Sequence, residues 1–105
     1  MNPLDHINPA LPEPKTREGV LDAFIEAIRE RRRELKDNAT SETFEHLPIL
    51  GHALAELLGA KRCCKQQIKM RLEQLRTIPD NDFQVQLRDT SLAILKKVGK
   101  ALNKN

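Results

Sequence analysis

Tryptophan and tyrosine are missing from this 105-residue chain, and phenylalanine appears three times and glycine four. Strands draw on aromatic and β-branched residues, so this scarcity of aromatic and turn residues argues against an all-β fold. The two cysteines are neighbours, Cys63 and Cys64, and cannot form a disulfide framework within one chain. A reducing, cytoplasmic compartment is therefore expected. Long apolar runs are also missing. The longest, Leu47 to Ala60, is interrupted by His52 and Glu56 and is too short to span a bilayer, so no membrane partner is expected. The opening MNPLDHINP has neither a basic n-region nor an apolar h-region and does not read as a secretory signal.

Leucine dominates what is present, with 15 copies, and Leu, Ile, Val and Phe together supply 28 residues. That share exceeds the roughly 20% below which disorder is the default. The length suits one domain, which at this size buries roughly 65% of its unfolded surface without staples. The net charge of +3 conceals a split. Residues 1–58 carry 7 basic and 11 acidic side chains, and residues 59–105 carry 11 basic and 4 acidic ones. The second half can meet an acidic partner although the whole chain is nearly neutral.

Four of the six prolines, Pro3, Pro9, Pro12 and Pro14, lie in residues 1–15. Proline removes the amide donor and fixes φ, so this stretch is expected to be an extended arm, docked through Leu4, Ile7 and Leu11. Residues 16–105 form the helical domain. Helix 1 is expected from Thr16 to Lys36, with Val20, Leu21, Phe24, Ile25, Ile28 and Leu35 at i, i+3, i+4, i+7 spacing. Thr16 is its N-cap, and Asn38 ends it in the left-handed conformation. Arg32 falls in the apolar stripe. After a polar connection, Pro48 suits the first turn of a second helix starting near His46 or Leu47, with Phe44 as a hydrophobic staple.

The apolar positions Leu47, Leu50, Leu54, Leu57, Leu58, Cys64, Ile68, Leu72 and Leu75 stay within about 120° of one wheel, even across Gly59. One helix of about 30 residues is the simplest account, with Gly59 the point where it can break. Gly51, Ala55 and Gly59 form a small-residue row that lets another helix approach closely. Pro79 ends this helix. The last, about residues 81–103, carries Phe83, Leu87, Ile94, Val98 and Ala101 on one face, with Leu95 and Leu102 beside it. Val85 and Leu92 lie nearly opposite, as a second face for another neighbour. The expected fold is all-α: a small up-down bundle of three long helices, or four if the middle one breaks at Gly59, behind the Pro-rich arm.

Motifs for catalysis are missing: there is no Gly-rich phosphate loop, G-x-S-x-G or H-E-x-x-H. His46 and His52 are about 240° apart on a helix, and the His52–Glu56 pair alone makes a poor metal site, so neither metal nor other cofactor is expected. Cys63 would face solvent near Lys61, Arg62 and Lys65, which favour its thiolate, and Cys64 the core. No enzymatic activity is expected.

The basic residues are more telling. On a continuous helix Lys61, Arg62, Lys65, Lys69 and Arg76 share an arc of about 100°, with few acids to relieve like-charge repulsion. Their stems also cover apolar surface. An acidic partner explains the arrangement, with nucleic-acid backbone first, since the missing Trp and Tyr disfavour base stacking. The expected function is a non-enzymatic interaction protein, a small subunit or regulator of a larger assembly. Residues 61–76 would contact nucleic-acid backbone or an acidic protein, and Gly51, Ala55, Gly59, Val85 and Leu92 would carry helix–helix contacts to a protein partner or a second copy. Two alternatives stand beside it. Leu54–Ala60 resembles the first helix and turn of a helix-turn-helix, although Lys65 stands where a buried aliphatic is needed and no Ser or Thr caps the second helix. A small inhibitor that blocks an enzyme or nucleoprotein is the other.

Overall fold

The computed structural model describes residues 2–62, 67–78 and 85–103, without side-chain detail for 67–69. Its described residues contain no strand. They form a short 3-10 turn, Pro3–His6, and four α-helices: α1 (Arg17–Asp37), α2 (Ser41–Arg62), α3 (Gln67–Arg76) and α4 (Val85–Asn103).

Helix α1 begins where the sequence places it. Thr16 Oγ1 accepts from the Gly19 amide at 3.0 Å, filling one of the four orphan donors of a helix start. All six expected apolar residues of α1 are buried. Asn38 does cap the far end, but with φ −117° rather than in the left-handed region. It terminates α1 by hydrogen bonds instead: its backbone amide and its Nδ2 both donate to the Glu34 carbonyl, at 3.1 and 3.2 Å. Arg32 is half-buried. The three residues from Asn38 to Thr40 return the chain as α2, making an antiparallel helix pair.

α2 departs from expectation at both ends. It starts at Ser41, so Pro48 lies inside it and Phe44, 85% exposed, is a surface residue instead of a staple. Proline there costs one backbone hydrogen bond, to the Phe44 carbonyl, on the solvent side of the helix. α2 also runs unbroken through Gly59, as the continuous-helix reading expects, and its described part reaches Arg62.

α3 does not continue α2. Glu56 and Arg71 form a direct ion pair at 3.0 Å, whereas fifteen residues of straight helix would set their backbones about 22 Å apart. α3 therefore lies back toward α2, and the single helix expected over Leu47–Ile78 is two. Leu75 is buried and Leu72 and Ile78 pack against the core, while α3 itself rests mainly on α4. Cys64 lies outside the described residues.

The core joins α1, Leu50, Ala53, Leu54, Leu57 and Ala60 of α2, Leu75 of α3, and Ile94, Leu95 and Val98 of α4. Leu87, expected on the buried face of α4, is largely exposed, while Leu92 packs against the core and Val85 is half-buried. Phe83 lies outside the described residues.

The N-terminal segment is not uniformly extended. Asn2 Oδ1 accepts from the Leu4 amide at 2.9 Å and caps the 3-10 turn, in which Pro3 sits at the start where its missing donor is harmless. Leu4 and Ile7 are 2% and 1% exposed and belong to the main core. Hydrogen bonds with α4 tie the segment down: Lys97 Nζ donates to Asn8 Oδ1 at 3.1 Å, and the segment's own Lys15 Nζ donates to the Ala101 carbonyl at 3.2 Å.

Candidate functional site

The basic residues singled out in the sequence do not share one helix. Lys61 and Arg62 lie in the last described turn of α2, Lys69 and Arg76 belong to α3, and Lys65 lies outside the described residues. The common arc of about 100° assumed one continuous wheel, and it lapses with the second helix.

Two of the local cations are engaged within the chain. Lys61 Nζ lies 2.6 Å from Asp22 Oδ1 of α1. Beside it Arg17 Nη2 donates to the Ala60 carbonyl at 2.6 Å, so α1 both neutralises Lys61 and supplies a donor to the described C-terminal turn of α2. Arg71 grips Glu56 with two nearly parallel bonds, Nε to Oε2 at 3.0 Å and Nη2 to Oε1 at 3.1 Å. The carboxylate of that pair is the more buried partner, its side chain 10% exposed, whereas Arg71 remains 44% exposed. The fork geometry matches a planar guanidinium to a carboxylate and fixes orientation as well as charge. Arg62 and Arg76 are exposed and have no ion-pair partner among the described residues.

The Glu56–Arg71 pair bridges the side of a cleft of about 480 Å³ between α2, α3 and α4. α2 contributes His52, Ala55, Glu56, Gly59 and Ala60 to its wall, and α3 and α4 contribute Arg71, Gln74, Leu87 and Ser91. Ala55 and Gly59 of the small-residue row thus line the cleft, and Gly51 lies outside it. Gly51 is half-buried, Ala55 and Gly59 are exposed, and a Cβ built on either glycine would meet nothing within 4 Å. Val85 lines a separate shallow depression with Asn2, Ile49, Gln86, Asp89 and Thr90.

α2 explains why these residues stay open. It is apolar nearly all round, a composition that marks a helix covered on every side. In this chain the face bearing Leu50, Ala53, Leu54, Leu57 and Ala60 is buried, and Leu47, Ile49 and Leu58 on its borders pack partly against the core. On a 100° wheel Phe44, Pro48, Gly51, Ala55 and Gly59 occupy about 80° of the opposite face. His52 widens that face, half-buried Leu47 and Leu58 mark its border with the core, and from 44 to 59 it contains no charged residue.

The histidines stand apart. His46 is buried with Nδ1 3.2 Å from Glu42 Oε1, in poor alignment for a hydrogen bond, and His52 is exposed at the cleft. No group of three or more His, Cys, Asp or Glu gathers as a metal cage among the described residues. No helix among them is long and apolar enough to cross a membrane. The turn that a helix-turn-helix places at Gly59 is absent, since α2 is helical through Gly59 and Ala60.

Sequence reasoning missed the Asp22–Lys61 and Glu56–Arg71 pairs because the first depends on how α1 packs on α2 and the second on α3 lying back toward α2. One signal was available. Residues 47–60 hold a single charged side chain, Glu56, and residues 61–76 hold seven. An equal apolar phase is required of a continuous helix, but two separate helices can share it as well. The chain matches no protein-family model, no curated protein and no solved structure in comparisons with each.

Proposed function

We propose that this chain is a non-enzymatic helical interaction protein, a small subunit or regulator, whose principal contact surface is the outer face of α2. The observation that carries this reading is the mismatch between composition and burial in α2. Its buried face and partly covered flanks leave one uncharged stripe open, which presents Phe44, Pro48, Ala55 and Gly59 to solvent. Contiguous exposed apolar surface of this kind is typical of a partner-binding face. A second reading is supported by Arg62 and Arg76, exposed without carboxylate partners among the described residues, and by the excess of basic residues after position 58. It assigns the basic half of the chain to nucleic-acid backbone, with contacts that are salt-sensitive and weakly sequence-specific.

Affinity capture from the native host separates the two. Ala55→Arg puts a charge in the middle of the outer face, and Arg62→Glu with Arg76→Glu reverses the free cations; neither change touches the core. Loss of the captured partner with Ala55→Arg alone supports the α2 face. Loss of co-purifying nucleic acid with the reversed arginines alone supports the second reading. Capture indifferent to both sets of changes overturns both.

A further inference from the structure

We propose that the occupant of the outer face of α2 is a second copy of this chain, docked with its own α2 antiparallel about a two-fold axis between Gly51 and His52. This rests on reading that face as a contact surface and names what covers it. Three features of α2 make the face complementary to itself.

The first is shape. Phe44 stands 85% exposed near the start of the face, and the uncovered Gly59 lies near its end. The two are equally distant from the midpoint of Gly51 and His52. In an antiparallel pair centred there, Phe44 of one copy meets Ala55, Leu58, Gly59 and Arg62 of the other. These four have the i, i+3, i+4, i+7 spacing of a hole that receives a knob from a facing helix. Ala55 and Gly59 of that hole also line the 480 Å³ cleft, so the ring of the second copy would close an opening its own chain leaves empty. Pro48 then faces Ala55, and Gly51 faces His52, so small residues occupy the centre where the backbones come closest.

The second is charge. α2 begins with Glu42 and Glu45 and ends with Lys61 and Arg62, with an uncharged face between. Antiparallel docking brings each acidic start to a basic end, whereas parallel docking would set like charges together. Glu45 and Arg62 have no ion-pair partner within the chain among the described residues, so both are free to serve this contact. Antiparallel helix dipoles act in the same direction.

The third is symmetry. A two-fold contact uses one patch twice, and self-complementarity is its signature. The large residue, the hole, the acidic start and the basic end all lie on one 22-residue helix.

Sedimentation equilibrium of the purified full chain tests the proposal. A reversible dimer is expected, with Phe44→Ala weakening it by about tenfold or more and Ala55→Arg leaving a monomer of unchanged helicity. The orientation has its own test. Glu45→Arg alone and Arg62→Glu alone should each weaken self-association, because each places like charges at both ends of the pair. Mixing the two variants should restore a heterodimer. A chain monomeric at millimolar concentration overturns the proposal, as does a dimer unaffected by Phe44→Ala. A dimer that both reversals leave unchanged, or that mixing does not restore, overturns the antiparallel arrangement. A monomeric chain whose host partner is still lost with Ala55→Arg overturns the second copy while sparing the contact-surface reading. Indifference to Ala55→Arg in both measurements overturns the two together.

Discussion

The ion pair between Glu56 and Arg71 is the cross-link from α3 to α2, and its two members are unequally buried. That inequality fixes what their removal should cost. Arg71→Met keeps most of the stem and deletes the charge, stranding a carboxylate whose side chain is 10% exposed. Glu56→Gln removes the other charge and leaves a guanidinium that is 44% exposed and can turn to water. Breaking a fully buried pair costs about 3–5 kcal/mol, and an exposed pair is worth at most about 1 kcal/mol. With one partner mostly buried and the other exposed, Arg71→Met should cost about 2 kcal/mol and Glu56→Gln about 1 kcal/mol. A double-mutant cycle should return a coupling of about 1 kcal/mol, reduced in 1 M salt, where the Debye length falls to about 3 Å. With no tryptophan or tyrosine to report by fluorescence, the assay is urea unfolding followed by far-ultraviolet circular dichroism. A coupling within about 0.3 kcal/mol of zero, the additivity expected of independent sites, would refute the fold-back of α3. A larger loss for Glu56→Gln than for Arg71→Met would refute the burial reasoning.

The N-terminal segment and two glycines supply further tests. Leu4→Ala and Ile7→Ala should each destabilise the chain by about 2–4 kcal/mol in urea melts, since both side chains are lost from the core. The double variant should cost less than their sum, because releasing one anchor frees the short segment that holds the other. Gly99→Ala should stabilise α4 by about 0.5–1 kcal/mol, because the added Cβ meets open space in a helix interior. Gly19→Ala should give no such gain: its Cβ would sit 2.9 Å from the capping Thr16 Oγ1 and 3.0 Å from Pro12 Cγ. A loss of about 1 kcal/mol of cap energy should cancel the propensity term, and thermal midpoints of the two variants compare them directly.

Much of the fold can be read from local pattern. The apolar spacing of α1 and its Thr16 cap are properties of neighbours within a few residues, and the structure repeats both. The apolar register of Leu50, Leu54 and Leu57 is also local, and these residues are buried as spaced. The length of α2 is different. Whether Leu72 and Leu75 belong to the helix of Leu50 depends on where the chain turns, and periodicity cannot distinguish one helix from two that share a phase.

The candidate surfaces divide along the same line. The uncharged row Gly51, Ala55 and Gly59 is visible in the sequence, but whether it faces this chain's own helices or solvent depends on where α3 packs. The basic residues show the converse. Their number is fixed by composition, yet only the tertiary fold pairs Lys61 with Asp22 and Arg71 with Glu56, leaving Arg62 and Arg76 exposed. By itself the sequence determined an all-helical chain, because helix propensity, capping and amphipathic spacing act over one or two turns. The tertiary structure decided that the N-terminal prolines lead two side chains into the core, that α3 doubles back, and that one face of α2 stays open. Each of those depends on contacts between residues far apart in the chain, whose energies no local pattern records.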